Sequence, residues 1–158
     1  MVSNDVLPET MAERLVLFVC VGNAARSLMA EAIFNAHPPA GWRAMSAGTK
    51  PAAAANPRTA PLLVELGVAP PTHPPSLLTP EMAAAAEKRV TMGCLDDASC
   101  PIHLKSLPLE DWALPDPKDL DDAGFRRVRD AIVVRVEALR SELARGDRAP
   151  PVGPPVAG

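Results

Sequence analysis

The chain of 158 residues reads as a doubly wound α/β domain, a parallel sheet covered by helices on both faces. Three observations carry that expectation. Leu15-Val16-Leu17-Phe18-Val19 is a continuous apolar run of strand length, as a central parallel strand buried on both sides requires. Helical patterns separate it from two further strand-like stretches. Near the end of the chain Phe125, Val128, Ile132, Val136, Leu139 and Leu143 recur at spacings of three and four, which makes one apolar helix face to lay on a sheet.

Taken in order, the first strand ends at Cys20. After a short loop, a helix is expected from Ser27 to Ala36, with Leu28, Met29, Ala32 and Ile33 on one side and His37-Pro38-Pro39 as its stop. Trp42 to Ala47 is the second strand, Gly48 breaks it, and Lys50 to Ala55 is a Pro/Ala loop. Asn56-Pro57 then has the form of an N-cap followed by proline at the first helical position; Leu62, Leu63 and Leu66 share a face and Gly67 is the stop. Thr79-Pro80-Glu81 repeats the cap ahead of Met82 to Ala86. Lys88 to Gly93 is a third strand, ending at Cys94. The Pro- and Asp-rich stretch that follows, through Asp122, holds at most one short edge strand, near Leu104 to Leu107.

The length suits one domain. A flexible segment is expected over residues 1–12, a single catalytic α/β domain over 13–145 and a disordered Pro/Gly-rich tail over 146–158. A net charge of −3 supplies no basic field for nucleic acid or an anionic membrane surface. Leu15 to Val21 is far short of the ~20 apolar residues that span a bilayer. Three cysteines are too few for a secreted disulfide framework, so a soluble cytoplasmic protein, most simply a monomer, is expected. The chain has 19 prolines and no tyrosine, and Phe18, Phe34, Trp42, Trp112 and Phe125 are its whole aromatic complement.

Cys20-Val21-Gly22-Asn23-Ala24-Ala25-Arg26-Ser27 places a thiol between a buried strand and a helix start. Successive N–H groups in such a loop, from Val21 through Arg26, form an anion-binding nest, and Gly22 and Asn23 tolerate the positive φ that a nest uses. Arg26 can close the cradle with a planar, bidentate grip on a tetrahedral oxyanion. The same field favours an anionic sulfur at Cys20, to which the Ser27 hydroxyl can donate. Asn23 either braces the loop through its amide or simply supplies a left-handed turn residue. A Gly-Lys-Ser/Thr phosphate loop and a dinucleotide fingerprint are both missing.

Displacing an oxygen from such an anion requires a proton for the leaving group, so a carboxylic acid should stand opposite Cys20. Asp116-Pro117, in the loop before the last helix, is the best candidate, with Asp111, Asp119 and Asp121 as rivals. His37 and His73 sit beside prolines and are expected to face solvent, while His103 is close enough in sequence to influence Cys100. Cys94, Cys100 and His103 offer three metal ligands without Cys-x2-Cys spacing, so no metal site is expected.

Cys20 through Ser27, Ser46-Ala47-Gly48-Thr49 after the second strand, and Asp116-Pro117 before the last helix resemble, in order and spacing, the low-molecular-weight protein tyrosine phosphatase superfamily. The resemblance runs over residues 14 to 145. It implies a four-stranded parallel sheet flanked by helices, with Cys20 as nucleophile, Arg26 as oxyanion clamp, Ser27 as stabiliser of the thiolate and Asp116 as general acid.

Phosphatases of this superfamily commonly carry Tyr directly after the Asp-Pro as an aromatic wall, and here Lys118-Asp119 follows. Met92-Gly93-Cys94 through Cys100-Pro101 instead resembles the redox segment of the arsenate reductases that share the phosphatase fold and couple to thioredoxin. That likeness implies a relay: a thiol-arsenate adduct on Cys20, attack by Cys94, then transfer of the disulfide to Cys94 and Cys100. The gap between Cys94 and Cys100 is one residue shorter than in the familiar members, and Ala25 stands where many relatives have another Cys. The expected function is arsenate reduction, with arsenate as substrate, phosphate or sulfate as mimics, no tightly bound cofactor, and thioredoxin or another dithiol carrier supplying electrons. The alternatives are a phosphomonoesterase whose second cysteine pair is a redox switch, and a non-enzymatic oxyanion sensor.

Overall fold

Four parallel strands, β1 (Arg14–Cys20), β2 (Trp42–Gly48), β3 (Lys88–Thr91) and β4 (Glu110–Asp111), form one sheet in the order β2-β1-β3-β4. The computed structural model describes residues 13–92 and 108–145. Helices α1 (Arg26–Ala36), α2 (Thr59–Val64), α3 (Pro80–Ala85) and α4 (Asp122–Ala144) connect and cover the strands, and a 3₁₀ turn, Pro117–Asp119, precedes α4.

The apolar run in β1 is continuous because β1 is central and both its faces are covered. Val16, Phe18 and Cys20 point into the larger core with α1, α2 and α4, whereas Leu17 and Val19 pack with Ala47, Leu78, Ala83 and Ala86 beside α3. Strand periodicity of two sends alternate side chains to opposite faces, so a strand with two dry faces has no polar position to offer. Phe18 lies between Phe34, 6.3 Å away edge-on, and Trp112, 5.5 Å away. All three are essentially fully buried, and each contributes about 1.5–3 kcal/mol or more of transfer free energy. The aliphatic stripe of α4 from Val128 to Leu139 closes this side.

Several boundaries differ from the sequence expectation, each for a local reason. Gly48 does not break β2 but ends it, paired with Cys20. Asn56 caps a turn instead of a helix: its Oδ1 accepts from Arg58 N at 2.9 Å, and α2 begins only at Thr59. Leu66 is 38% exposed because α2 stops at Val64, before the apolar face reaches it. Gly67, at φ +75°, does supply the left-handed stop. Thr79 caps α3 as expected, accepting from Met82 N at 3.1 Å. The fourth strand is a two-residue pairing at Glu110–Asp111, downstream of the expected edge strand, whose residues 104–107 lie outside those described.

The order β2-β1-β3-β4 makes the gap between β1 and β3 the point where connections leave in opposite directions. In open parallel sheets the crevice at the carboxyl ends of such strands is where ligands bind. Cys20 ends β1 and Met92 follows β3 at that crevice.

Candidate active site

Cys20 opens a loop whose main chain is turned by its neighbours. The carbonyls of Cys20, Val21, Gly22 and Ala24 accept from the N–H groups of Thr49, Lys50, Ala52 and Asn56 at 2.9–3.2 Å. With these oxygens bonded to the segment behind, the following amides face the other way, towards the pocket. The Pro/Ala loop is therefore the structural back of the nest. Gly48 makes the close packing feasible: a Cβ there would sit 2.5 Å from the Val21 carbonyl and 3.0 Å from Asn23 N. Asn23, not Gly22, is the left-handed residue of the loop, with φ 50°.

The sulfur of Cys20 is buried, 3.2 Å from Asn23 N and 3.0 Å from Ser27 Oγ. Asn23 both supplies the left-handed turn and braces the site. Its Nδ2 donates to Ser27 Oγ at 2.7 Å and to Ser46 Oγ at 3.0 Å, and its Oδ1 accepts from Ser76 N at 2.8 Å. Because the Ser27 oxygen already accepts from Asn23, its hydroxyl proton is free to point at the sulfur. The Ser46 hydroxyl in turn donates to Glu31 Oε1, whose carboxylate meets His73 Nε2 at 2.8 Å. His73 is thus paired with a carboxylate while 35% of its side chain stays exposed, so it faces solvent only in part. Burial lowers its pKa, but the hydrogen bond to the Pro74 carbonyl and the Glu31 carboxylate outweigh this and leave it raised above the ordinary value. His37 is exposed, as expected.

Arg26 is 3% exposed and begins α1. A buried guanidinium without partners would cost several kcal/mol. Here Nη1 donates to the carbonyls of Met92 (3.2 Å) and Leu114 (3.0 Å), and Nη2 lies 3.5 Å from Asp116 Oδ2. Those contacts tie the loop after β3 and the acid-bearing loop to the cysteine loop. Of the four aspartates weighed from sequence, Asp116 alone lines the pocket. Asp111 accepts from Thr91 Oγ1, and Asp121 caps α4 through Gly124 N.

The pocket encloses about 420 Å³. Cys20, Val21, Gly22, Ala24, Ala25 and Arg26 line it together with Asp116, Lys50, Lys118 and the small residues of segment 52–57, and among the described residues no aromatic side chain lines it. Thus Cys20, Arg26, Ser27 and Asp116 come together with the predicted loop amides, while Cys94, Cys100 and His103 lie outside the described residues. Sequence reasoning missed Glu31, His73 and Lys50; the Ser46-Ala47-Gly48-Thr49 run was the only signal near them. Among the described residues no group of three His, Cys, Asp or Glu converges as metal ligands do, and no helix is long and apolar enough to cross a membrane.

An oxyanion seated among these amides has a sulfur at its floor and a carboxyl at its rim, the elements of a thiol-dependent displacement at a tetrahedral centre. Fold and pocket together define a cysteine-based, phosphatase-like site. The family model for low molecular weight phosphotyrosine protein phosphatase matches residues 15–149, and the chain belongs to that family. Within it, the chain is 32% identical over 129 residues to arsenate reductase 1 of Staphylococcus epidermidis, covering 82% of this chain and 97% of that one. A thioredoxin-dependent arsenate reductase from Corynebacterium glutamicum superposes with a TM-score of 0.71 at 29% identity, covering 85% of this chain and 63% of that chain. An arsenate reductase from Archaeoglobus fulgidus superposes with a TM-score of 0.67 at 33% identity, covering 80% of this chain and 99% of that one.

Proposed function

We propose that this chain is an arsenate reductase in which Cys20, Cys94 and Cys100 act in series and a dithiol carrier of the thioredoxin type restores the thiols. The observation that carries the reading is the hydrogen bond from Arg26 Nη1 to the Met92 carbonyl, 3.2 Å. It holds the chain, two residues before Cys94, against the guanidinium that would grip the oxyanion. The relatives that bear the name arsenate reductase support the same reading.

Arsenate enters the nest with its oxygens on the loop amides and on Arg26. The Cys20 sulfur forms a bond to arsenic, and an oxygen leaves as water after taking a proton from Asp116. Cys94 thiolate then attacks the Cys20 sulfur. As the S–S bond forms, the electron pair of the S–As bond passes to arsenic, reducing As(V) to As(III) and releasing arsenite. Cys100 attacks Cys94, returning Cys20 as a thiolate and leaving a Cys94–Cys100 disulfide for the carrier to reduce. The pocket suits a small, highly charged substrate: among the described residues Lys50 and Lys118 line it without ion-pair partners, and none that lines it offers an aromatic ring to stack on an aryl group.

The test is arsenate-dependent NADPH consumption with thioredoxin and thioredoxin reductase, compared for the wild type, Cys94→Ser and Cys100→Ser. Both variants should lose multiple turnover, and full turnover in either would sink the relay. The second reading, a phosphomonoesterase with a redox switch, is favoured by the fact that Cys20, Ser27, Arg26 and Asp116, the groups a phosphoryl transfer uses, meet at one site. It requires aryl phosphate hydrolysis that persists undiminished in both variants, together with no arsenate reduction by the wild type.

A further inference from the structure

We propose that Arg58 is a positioning residue that holds the acid Asp116 in place by clasping the turn Pro117–Asp119 to the back of the anion loop. The inference rests on the reading of Asp116 as general acid. Arg58 starts from a point fixed relative to Cys20. The Ala24 carbonyl, within the anion loop, accepts from Asn56 N at 3.0 Å and from Thr59 Oγ1 at 2.8 Å, and Arg58 N donates to Asn56 Oδ1 at 2.9 Å. The residues on both sides of Arg58 are therefore bolted to the loop that carries the nucleophile.

From there the side chain crosses to the acid loop. Nη1 donates to the Leu120 carbonyl at 2.7 Å and lies 3.3 Å from Asp122 Oδ1. Nη2 donates to the carbonyls of Pro117 (3.3 Å) and Lys118 (3.1 Å). The guanidinium carbon sits 4.6 Å over the ring of Phe125, which is itself fully buried. One planar fork thus spans the turn that follows Asp116 and the start of α4. Lysine could not reproduce this, since an ammonium is a point donor on a flexible stem.

Asp116 needs such help because it has little hold of its own. Its side chain is 44% exposed, 3.5 Å from Arg26, and its other hydrogen bond among the described residues is from the amide of Lys118, inside the same turn. A three-residue 3₁₀ turn is not self-supporting. Upstream, Ala113 is held at φ 50°, a left-handed conformation that strains a residue with a Cβ, so the loop's local preference does not fix it either.

The experiment is a double-mutant cycle on the full chain: wild type, Asp116→Ala, Arg58→Ala and the double variant, with Arg58→Lys as the conservative replacement. Two quantities are read: arsenate turnover with thioredoxin, thioredoxin reductase and NADPH, and calorimetric affinity for inorganic phosphate. The same proteins are assayed with p-nitrophenyl phosphate, so the cycle is read on phosphoryl transfer as well. Asp116→Ala should lower kcat by about 100-fold or more. Arg58→Ala should lower it by roughly 10- to 100-fold through misplacement alone, with phosphate affinity essentially unchanged. In the double variant the loss should match that of Asp116→Ala, and Arg58→Lys should recover only part of the rate. Multiplicative losses, or a fall in phosphate affinity as large as the fall in turnover, would overturn the role of Arg58 while leaving Asp116 as the acid. Wild-type turnover in Asp116→Ala would overturn the acid assignment and the inference with it. If Arg58→Ala does not fold, Arg58→Lys, which keeps the charge and loses the fork, completes the same cycle.

Discussion

Replacing Asn23 tests the claim that one amide builds both the shape and the chemistry of the cysteine loop. The side chain is fully buried and makes three hydrogen bonds, to Ser27, Ser46 and Ser76. At about 1 kcal/mol net each, their loss costs ~3 kcal/mol. The left-handed backbone adds a second term: at φ 50° an alanine is strained by about 1–2 kcal/mol, whereas glycine is not. Asn23→Gly should therefore cost ~3 kcal/mol and Asn23→Ala ~4–5 kcal/mol, against a total of about 5–15 kcal/mol for a domain. At ~2–4 °C per kcal/mol for a chain of this size, the alanine variant should melt roughly 10–15 °C lower. Both variants free the Ser27 hydroxyl to turn away from the sulfur, and arsenate turnover should fall about 100-fold as the nucleophile loses its place. Urea unfolding and calorimetry give the stabilities, and the thioredoxin-coupled assay gives the rate. A loss below about 1 kcal/mol in Asn23→Gly would refute the bracing account, and equal losses in the two variants would refute the backbone term.

Two further predictions concern the same scaffold. Gly48→Ala brings a Cβ within 2.5 Å of the Val21 carbonyl, a backbone atom that cannot swing aside, and should destabilise by ~1–3 kcal/mol by thermal unfolding. Gly22→Ala is the control, because its Cβ would have no neighbour nearer than 4.0 Å and no positive φ to satisfy; a comparable loss there would count against the packing explanation. For His73, whose pKa is raised above its ordinary 6.5, the imidazolium–Glu31 pair adds stability that is complete below the ordinary value and is lost as pH rises through the higher folded value. An NMR titration of the His73 ring should show that upward displacement and its collapse in Glu31→Gln. A ring titrating at or below the ordinary value in the wild type would remove the pair from the account.

The elements that were legible in the sequence are those with a one-dimensional signature. β1 announces itself because two dry faces leave no polar position, and α4 because one dry face leaves a stripe at helical spacing. The Cys20 to Ser27 loop is legible because its thiol, nest and arginine are consecutive. Residues that act across the fold carry no such mark. Glu31 sits on α1 and reads as one more helix carboxylate until β2 brings Ser46, and the loop after α2 brings His73, to its side. Segment 49–56 looks like filler, yet its amides turn the cysteine loop. The start of α2 is not legible in the sequence because Asn56-Pro57 satisfies a turn as readily as a helix start, and tertiary bonds to Ala24 decide between them.

By itself, then, the sequence determined the α/β class, the position of the thiol at the end of a central strand and the family to which the motif belongs. Those properties depend on local order along the chain, where spacing and side-chain type suffice. Only the tertiary structure decided which aspartate lines the pocket with Cys20, what holds it there, and that Lys50 joins Lys118 in the lining. Such choices depend on distances between segments 60 to 88 residues apart, set when β1, β3 and the acid loop meet at one end of the sheet.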